Sequence, residues 1–234
     1  MINLVKIKKE KWSAVLEYCV KQTKRPFLLH PVPNETSHEV VNNNSLLATE
    51  TVQTGQDYES RKLFWQYPQT IFTNNPHSTY INLEPWYEGI RDSFFVKDQL
   101  YAYWVTMLSG AHSYCYGAQG VWNVGDGHFL SHWGKQTLEQ AMQLNTPKLI
   151  GDNHKSFVSF GGLDLNQVEI RTDQGQLAKI KKFNNQGKQI IYYPDYKNHH
   201  DIEKGKYYLP LENKFLNTPP QSGQLVIFQD LKMA

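Results

Sequence analysis

The chain has 234 residues, enough to bury a sizeable core in one domain or in one domain with a small appendage. Its near-balanced charge of +2, with no basic stripe interleaved with aromatics, excludes nucleic acid as the expected partner, and the absence of an 18-residue apolar run excludes a membrane span. Cys19 and Cys115 make no disulfide framework and read as small core residues, and without a signal-peptide core the default expectation is a cytoplasmic location.

Taken in order, Trp12, Val15, Leu16, Cys19 and Val20 recur at helical spacing and predict an amphipathic helix closed by Pro26. Phe27–His30 reads as a short strand cut off by Pro31 and Pro33, followed by a polar loop over Asn34–Asn44. Leu46–Gln53, rich in Thr and Val, reads as a second strand, ended by Thr54-Gly55. Asp57 caps a predicted helix running to about Tyr67, with Tyr58, Leu63 and Phe64 inward. Thr79–Glu84 is the third strand. Phe94, Tyr101, Val105 and Leu108 then lie on one helical stripe, and Gly110–Tyr116 makes a fourth strand. A glycine-rich loop over Gly117–Ser131 leads to a helix expected from about Trp133 to Leu144.

From about Gly161 onward the helical signals stop. Leu177–Phe183, Lys188–Tyr193, Tyr207–Leu211 and Gln224–Gln229 read as strands joined by turns, as in a small antiparallel sheet or sandwich. The expected fold is therefore α/β. Residues 1–160 carry four βα units, half of an eight-stranded barrel, and residues 161–234 form a small antiparallel β domain. A half-barrel leaves parallel sheet edges open, so the chain is expected to be completed by a second polypeptide or by a second copy, the alternative being a small self-sufficient α/β sheet.

One stretch has the residues for chemistry. In Thr79–Gly89 a β-prone run ends in Glu84, and Pro85 halts the ladder because it has no N–H to donate. His30 and Gln53 fall at the ends of two other predicted strands. Glu50, an odd number of residues before Gln53 on the same strand, faces the other way and is a reserve carboxylate. Tyr87, Tyr116 and Trp122 are aromatic rings near this stretch that hydrophobic packing could employ, and Glu88 could pair with Arg91. His112, His128 and His132 gather loosely near Asp126. The His128-x3-His132 spacing crosses a glycine-rich loop rather than one rigid element, so no metal and no other cofactor is expected. His199-His200 reads as a solvated turn. There is no serine elbow, phosphate-binding loop or dinucleotide fingerprint.

The segment Glu84-Pro-Trp-Tyr-Glu-Gly89 resembles the glutamate-proline-x-tyrosine-glutamate segment of apiosidase-like glycoside hydrolases, a (β/α)8 family. Leu29-His30-Pro31, Val52-Gln53-Thr54-Gly55, Tyr116-Gly117 with Val121-Trp122-Asn123, and His132-Trp133 through Ala141-Met142-Gln143 fall in the family's order. The family uses no metal, and in it a small β domain commonly follows. The resemblance implies a carbohydrate substrate, Glu84 as the nucleophile, and substrate contacts from His30, Gln53, Tyr87, Glu88, Tyr116 and Trp122. It also implies that the sequence starts just before the fifth barrel strand, so that the acid/base carboxylate belongs to the other half. Retaining hydrolysis takes two carboxyl groups about 5–5.5 Å apart. The alternative is a truncated, non-catalytic remnant that binds carbohydrate or protein.

Overall fold

The computed structural model describes residues 4–33, 35–197 and 202–232, so the readings at Asn34 and His199-His200 lie outside the described residues. It separates into two compact units, Met1–Pro85 with Ala111–Cys115, and Trp86–Gly110 with Tyr116–Ala234. These lines differ from a division at residue 160. The chain is mixed α/β, with parallel strands in short sheets and a separate six-stranded antiparallel sheet.

In the first unit, helix α1 (Leu4–Thr23) lies where the 3.6-residue period puts it, but its expected inward stripe does not hold. Leu16 and Ser13 are buried, whereas Trp12 and Val15 are 44% and 51% exposed. Polar contacts turn the helix: the Ser13 hydroxyl accepts from the Asn42 N–H at 2.8 Å, and Lys8 pairs with Glu35 at 2.5 Å. The expected strand at Phe27–His30 reduces to one parallel bridge from Phe27 to Leu47. Two prolines follow at once, and each lacks a ladder donor.

Strand β1 (Glu50–Gln53) is buried at all four positions, as parallel strands are when both faces are covered. It is shorter than the expected Leu46–Gln53, because Asn43 caps a 3-10 turn at Asn44–Leu46. Asp57 does cap, accepting from the Ser60 N–H at 2.8 Å. What it starts is a 3-10 segment, Tyr58–Lys62, that leads into helix α2 (Leu63–Asn74). The inward residues there are Phe64, Trp65, Pro68 and Ile71, and Tyr58 faces out.

Strands β2 (Tyr80–Glu84) and β4 (Ser113–Tyr114) complete a three-stranded parallel sheet in the order β1-β2-β4. Its register sets Glu50 opposite Tyr80 and Gln53 opposite Glu84. The predicted strand over Gly110–Tyr116 is thus mostly turn and loop, with Gly110 at φ 97. Cys19 and Cys115 are free and half-buried, rather than core residues.

In the second unit, β3 (Tyr87–Glu88) pairs in parallel with β5 (Gly117–Ala118). Helix α3 (Val96–Leu108) is buried at every position from Gln99 to Leu108, so it is a central helix rather than one with a single inward stripe. The helix expected over Trp133–Leu144 is broken. Gly134, at φ 143, ends a 3-10 turn at Ser131–Trp133, and a capping box at Thr137 and Gln140 starts the short α4 (Leu138–Ala141). Pro147 then opens α5 (Thr146–Ser159), a helix the sequence reading missed.

The sheet consists of β6 (Gln167–Asp173), β7 (Gln176–Phe183), β8 (Lys188–Lys197), β9 (Lys206–Leu209), β10 (Lys214–Leu216) and β11 (Ser222–Asp230). Their order is β10-β9-β11-β8-β7-β6. The four expected strands are present; β6 and β10, both at edges, are additional. Trp104 of α3 is fully buried against this sheet, with the rings of Tyr192, Tyr208 and Phe228 around it and its indole N–H donated to Asn153 of α5 at 2.8 Å.

Candidate active site

At the C-terminal end of β2, the Glu84 backbone C=O accepts the Thr54 N–H, so β1 and β2 end side by side. Beyond it the chain is freed from the ladder by Pro85, and the Glu84 side chain stays 17% exposed. Gln56 Nε2 donates to Glu84 Oε1 at 3.2 Å and to the Pro85 C=O at 3.1 Å. His30 Nε2 lies 3.4 Å from the other carboxylate oxygen. Each oxygen of Glu84 therefore has one neighbour that fixes its direction. Two residues back on the same strand face, Asn82 is buried and donates to the Thr54 hydroxyl at 3.1 Å.

The structure thus brings together two of the residues read from sequence, Glu84 and His30. Gln53 is buried on β1 opposite Glu84 in the register, next to an irregularity between Val52 and Gln53. Gln56, three residues on, is the glutamine whose amide reaches the carboxylate, and the sequence reading missed it. Its signal was the Thr54-Gly55 stop, since Gly55 at φ 86 turns the chain back toward the strand end. Glu50, the reserve carboxylate, lies at the opposite end of β1. It pairs with His38 at 2.9 Å and sits three residues, roughly 10 Å of strand, from Gln53.

The other candidates lie in the second unit. Glu88 is buried, and both of its oxygens are engaged: the Tyr116 hydroxyl donates to one at 2.6 Å and the Thr146 hydroxyl to the other at 2.8 Å. Burial raises its pKa above the ordinary range, and these two hydrogen bonds act against that rise. Arg91, the other partner weighed for Glu88, lies over the Trp133 ring at 4.4 Å instead. Tyr87 and Trp122 stack with centroids 6.2 Å apart, and the Trp122 indole N–H donates to Gln119 at 2.9 Å, leaving an exposed indole face.

Asp126 accepts the backbone N–H groups of His128 and Phe129, both at 2.7 Å, and these bonds hold its carboxyl below the usual range. One of its oxygens therefore serves the turn of the loop. Among the described residues no group of three His, Cys, Asp or Glu side chains is placed to hold a metal ion, and no helix is long and apolar enough to cross a membrane.

Comparison with solved structures places the fold. A family 5 glycoside hydrolase from Bacteroides vulgatus superposes with a TM-score of 0.75 at 14% identity, covering 96% of this chain and 60% of that one. A second structure, described as a glycoside hydrolase, gives a TM-score of 0.73 at 14% identity, with 95% and 61% covered. The chain therefore spans about three fifths of the length of these neighbours, and at such identity the likeness is one of fold. No curated protein matches the sequence. The sequence model of the family described as "Apiosidase-like, catalytic domain" matches residues 3–150, more than half of the 234, and so the chain belongs to the apiosidase-like catalytic domain family.

Proposed function

We propose that this chain carries the nucleophile of a retaining glycoside hydrolase, as the C-terminal four βα units of a (β/α)8 barrel followed by a small β domain. The observation that supports it is the Glu84 carboxylate at the C-terminal end of a parallel strand, oriented by Gln56 on one oxygen and His30 on the other. That end of a parallel barrel is where catalytic side chains gather. Glu84 attacks the anomeric carbon to give a glycosyl ester, and water then releases the sugar. Gln56 fixes the direction of one carboxylate oxygen, and His30 Nε2 lies against the other.

Hydrolysis also takes an acid/base carboxyl close to the nucleophile. In this reading it comes from outside residues 1–234, on a segment joined to them or on a separate polypeptide. The exposed face of Trp122, backed by Tyr87, provides a stacking surface for a sugar ring.

The test uses the chain together with any polypeptide or segment encoded upstream of it, assayed on aryl glycosides and pectic oligosaccharides. Glu84→Gln is expected to lower kcat by at least about 1000-fold with KM little changed, since it removes a covalent step. Gln56→Ala and His30→Ala should lower it by about 10- to 100-fold, as losses of orientation do. A 2-fluoro glycoside should label Glu84 covalently. Activity that survives Glu84→Gln overturns the assignment.

A further inference from the structure

A polar hollow at the end of β1 takes no part in the chemistry proposed for Glu84. Its volume is about 250 Å³, and its lining includes Pro33, Thr54, Gly55, Asp57, Glu59 and Lys62. Gly55, at φ 86, turns the chain out of β1, with Pro33 and the 3-10 segment Tyr58–Lys62 on either side of it. The walls adjoin the site along the chain. Pro33 lies three residues beyond His30, and Gly55 immediately precedes Gln56, so the hollow is bounded by the two segments whose side chains touch the Glu84 carboxylate.

The lining offers hydrogen-bonding groups of both kinds. Asp57 Oδ1 takes the Ser60 N–H, whereas Glu59 and Lys62 are exposed and form no ion pair among the described residues. Side chains three apart on a 3-10 turn eclipse one another, which puts the Glu59 acceptor and the Lys62 donor on one side. Two carboxylates against one ammonium make the lining net negative.

We infer that this hollow seats a neutral sugar residue of the substrate glycan, with Glu59 accepting from its hydroxyls and Lys62 donating to them. This rests on the reading of Glu84 as a glycosidase nucleophile. The volume is below the roughly 300–1,000 Å³ of pockets that hold drug-sized ligands, which suits one sugar unit. Hydroxyls on neighbouring carbons both donate and accept, so they match a carboxylate and an ammonium set side by side. A uronic acid fits less well, because its carboxylate would meet Asp57 and Glu59.

Nitrogen-15-labelled residues 1–234 are titrated with two fractions of a pectic oligosaccharide digest, one neutral and one rich in uronic acid. The amide signals of Gly55, Glu59, Ser60 and Lys62 report occupancy. The neutral fraction should shift them saturably, and the uronic fraction should bind at least about tenfold more weakly, as like-charge contact costs. Glu59→Ala and Lys62→Ala should each weaken the neutral binding by about tenfold, the loss of one hydrogen bond to a charged group. Both side chains are exposed, so circular dichroism and the melt should not change. Glu59→Gln, which keeps an acceptor and removes a charge, should narrow the gap between the fractions.

The absence of a saturable shift at these amides with either fraction overturns the inference. So does tighter binding of the uronic fraction, or binding that survives both alanine substitutions. Glu84→Gln should leave the shifts intact. Binding here without hydrolysis in the enzyme assay therefore counts against the catalytic reading alone, and hydrolysis without these shifts counts against the hollow alone.

Discussion

Glu84 and Glu88 stand four residues apart and meet opposite conditions. Glu84 keeps part of its carboxylate open, with an amide and an imidazole as neighbours, and stays available to a substrate. Glu88 is buried between two hydroxyl donors, an arrangement that ties β3 to the start of α5. Because burial raises its folded pKa above the ordinary 4.5, the folded state holds that proton more tightly than the unfolded chain does. The linked stability is fully present below the unfolded value and is lost as pH rises through the folded one.

Glu88→Gln cannot titrate, so the melting temperature of the wild type minus that of the variant should be largest below pH 4.5 and shrink toward neutrality. A difference that grows with pH would contradict this. At this scale the sequence was readable where placement follows from pattern, as with a glutamate set at a strand end between a β-prone run and a proline. It hid Gln56, because the reach of that side chain depends on the left-handed turn at Gly55, and it hid the Thr146–Glu88 bond, because 58 residues separate the partners.

Elements were legible in kind more than in extent. Helix α2 and strand β2 follow from local pattern, and Asp57 caps as a residue with a short acceptor side chain should. The helix expected over Trp133–Leu144 was drawn too long because leucine, alanine and methionine suggest one continuous run, while Gly134 ends a 3-10 turn and the capping box at Thr137 and Gln140 starts α4. Helix α5, opened by Pro147, lies beyond it and was missed. Strand β6 was missed because it is an edge strand whose Glu169, Arg171 and Asp173 keep it polar.

The β3–β5 pair shows how close packing sets the aromatic surface. A Cβ at Gly117 would lie 2.2 Å from the Tyr87 ring, so the ring rests on bare backbone there. Gly117→Ala should displace Tyr87 and cost about 1–3 kcal/mol by overpacking, read in denaturant melts. The Tyr87–Trp122 stack should loosen with it, seen as a shift in tryptophan emission. An unchanged melt would mean that the ring has free room to move.

At the scale of the molecule, composition and packing divide the chain differently. Helical signals end near residue 160, yet the residue that organises the second unit's core is Trp104, on a helix grouped by sequence with the βα repeats. Its indole is fully buried among Phe157 of α5 and Tyr192, Tyr208 and Phe228 of the antiparallel sheet. Gln224 of β11 also donates to the Lys97 C=O at 2.8 Å, which ties the last strand to the first turn of α3.

A fragment of residues 1–160 keeps α3 and α5 but loses all six strands of that sheet, so Trp104 loses three of these four rings. Losing the packing of one large buried aromatic costs about 3–5 kcal/mol, a large share of the 5–15 kcal/mol that holds a typical domain together. The fragment should therefore show a red-shifted tryptophan emission, no near-ultraviolet circular dichroism from α3, and no cooperative melt of that helix. The full chain should melt with α3 and the β sheet in one transition. If 1–160 instead melts cooperatively with its tryptophans buried, the helix does not need the sheet, and the division suggested by composition is the physical one.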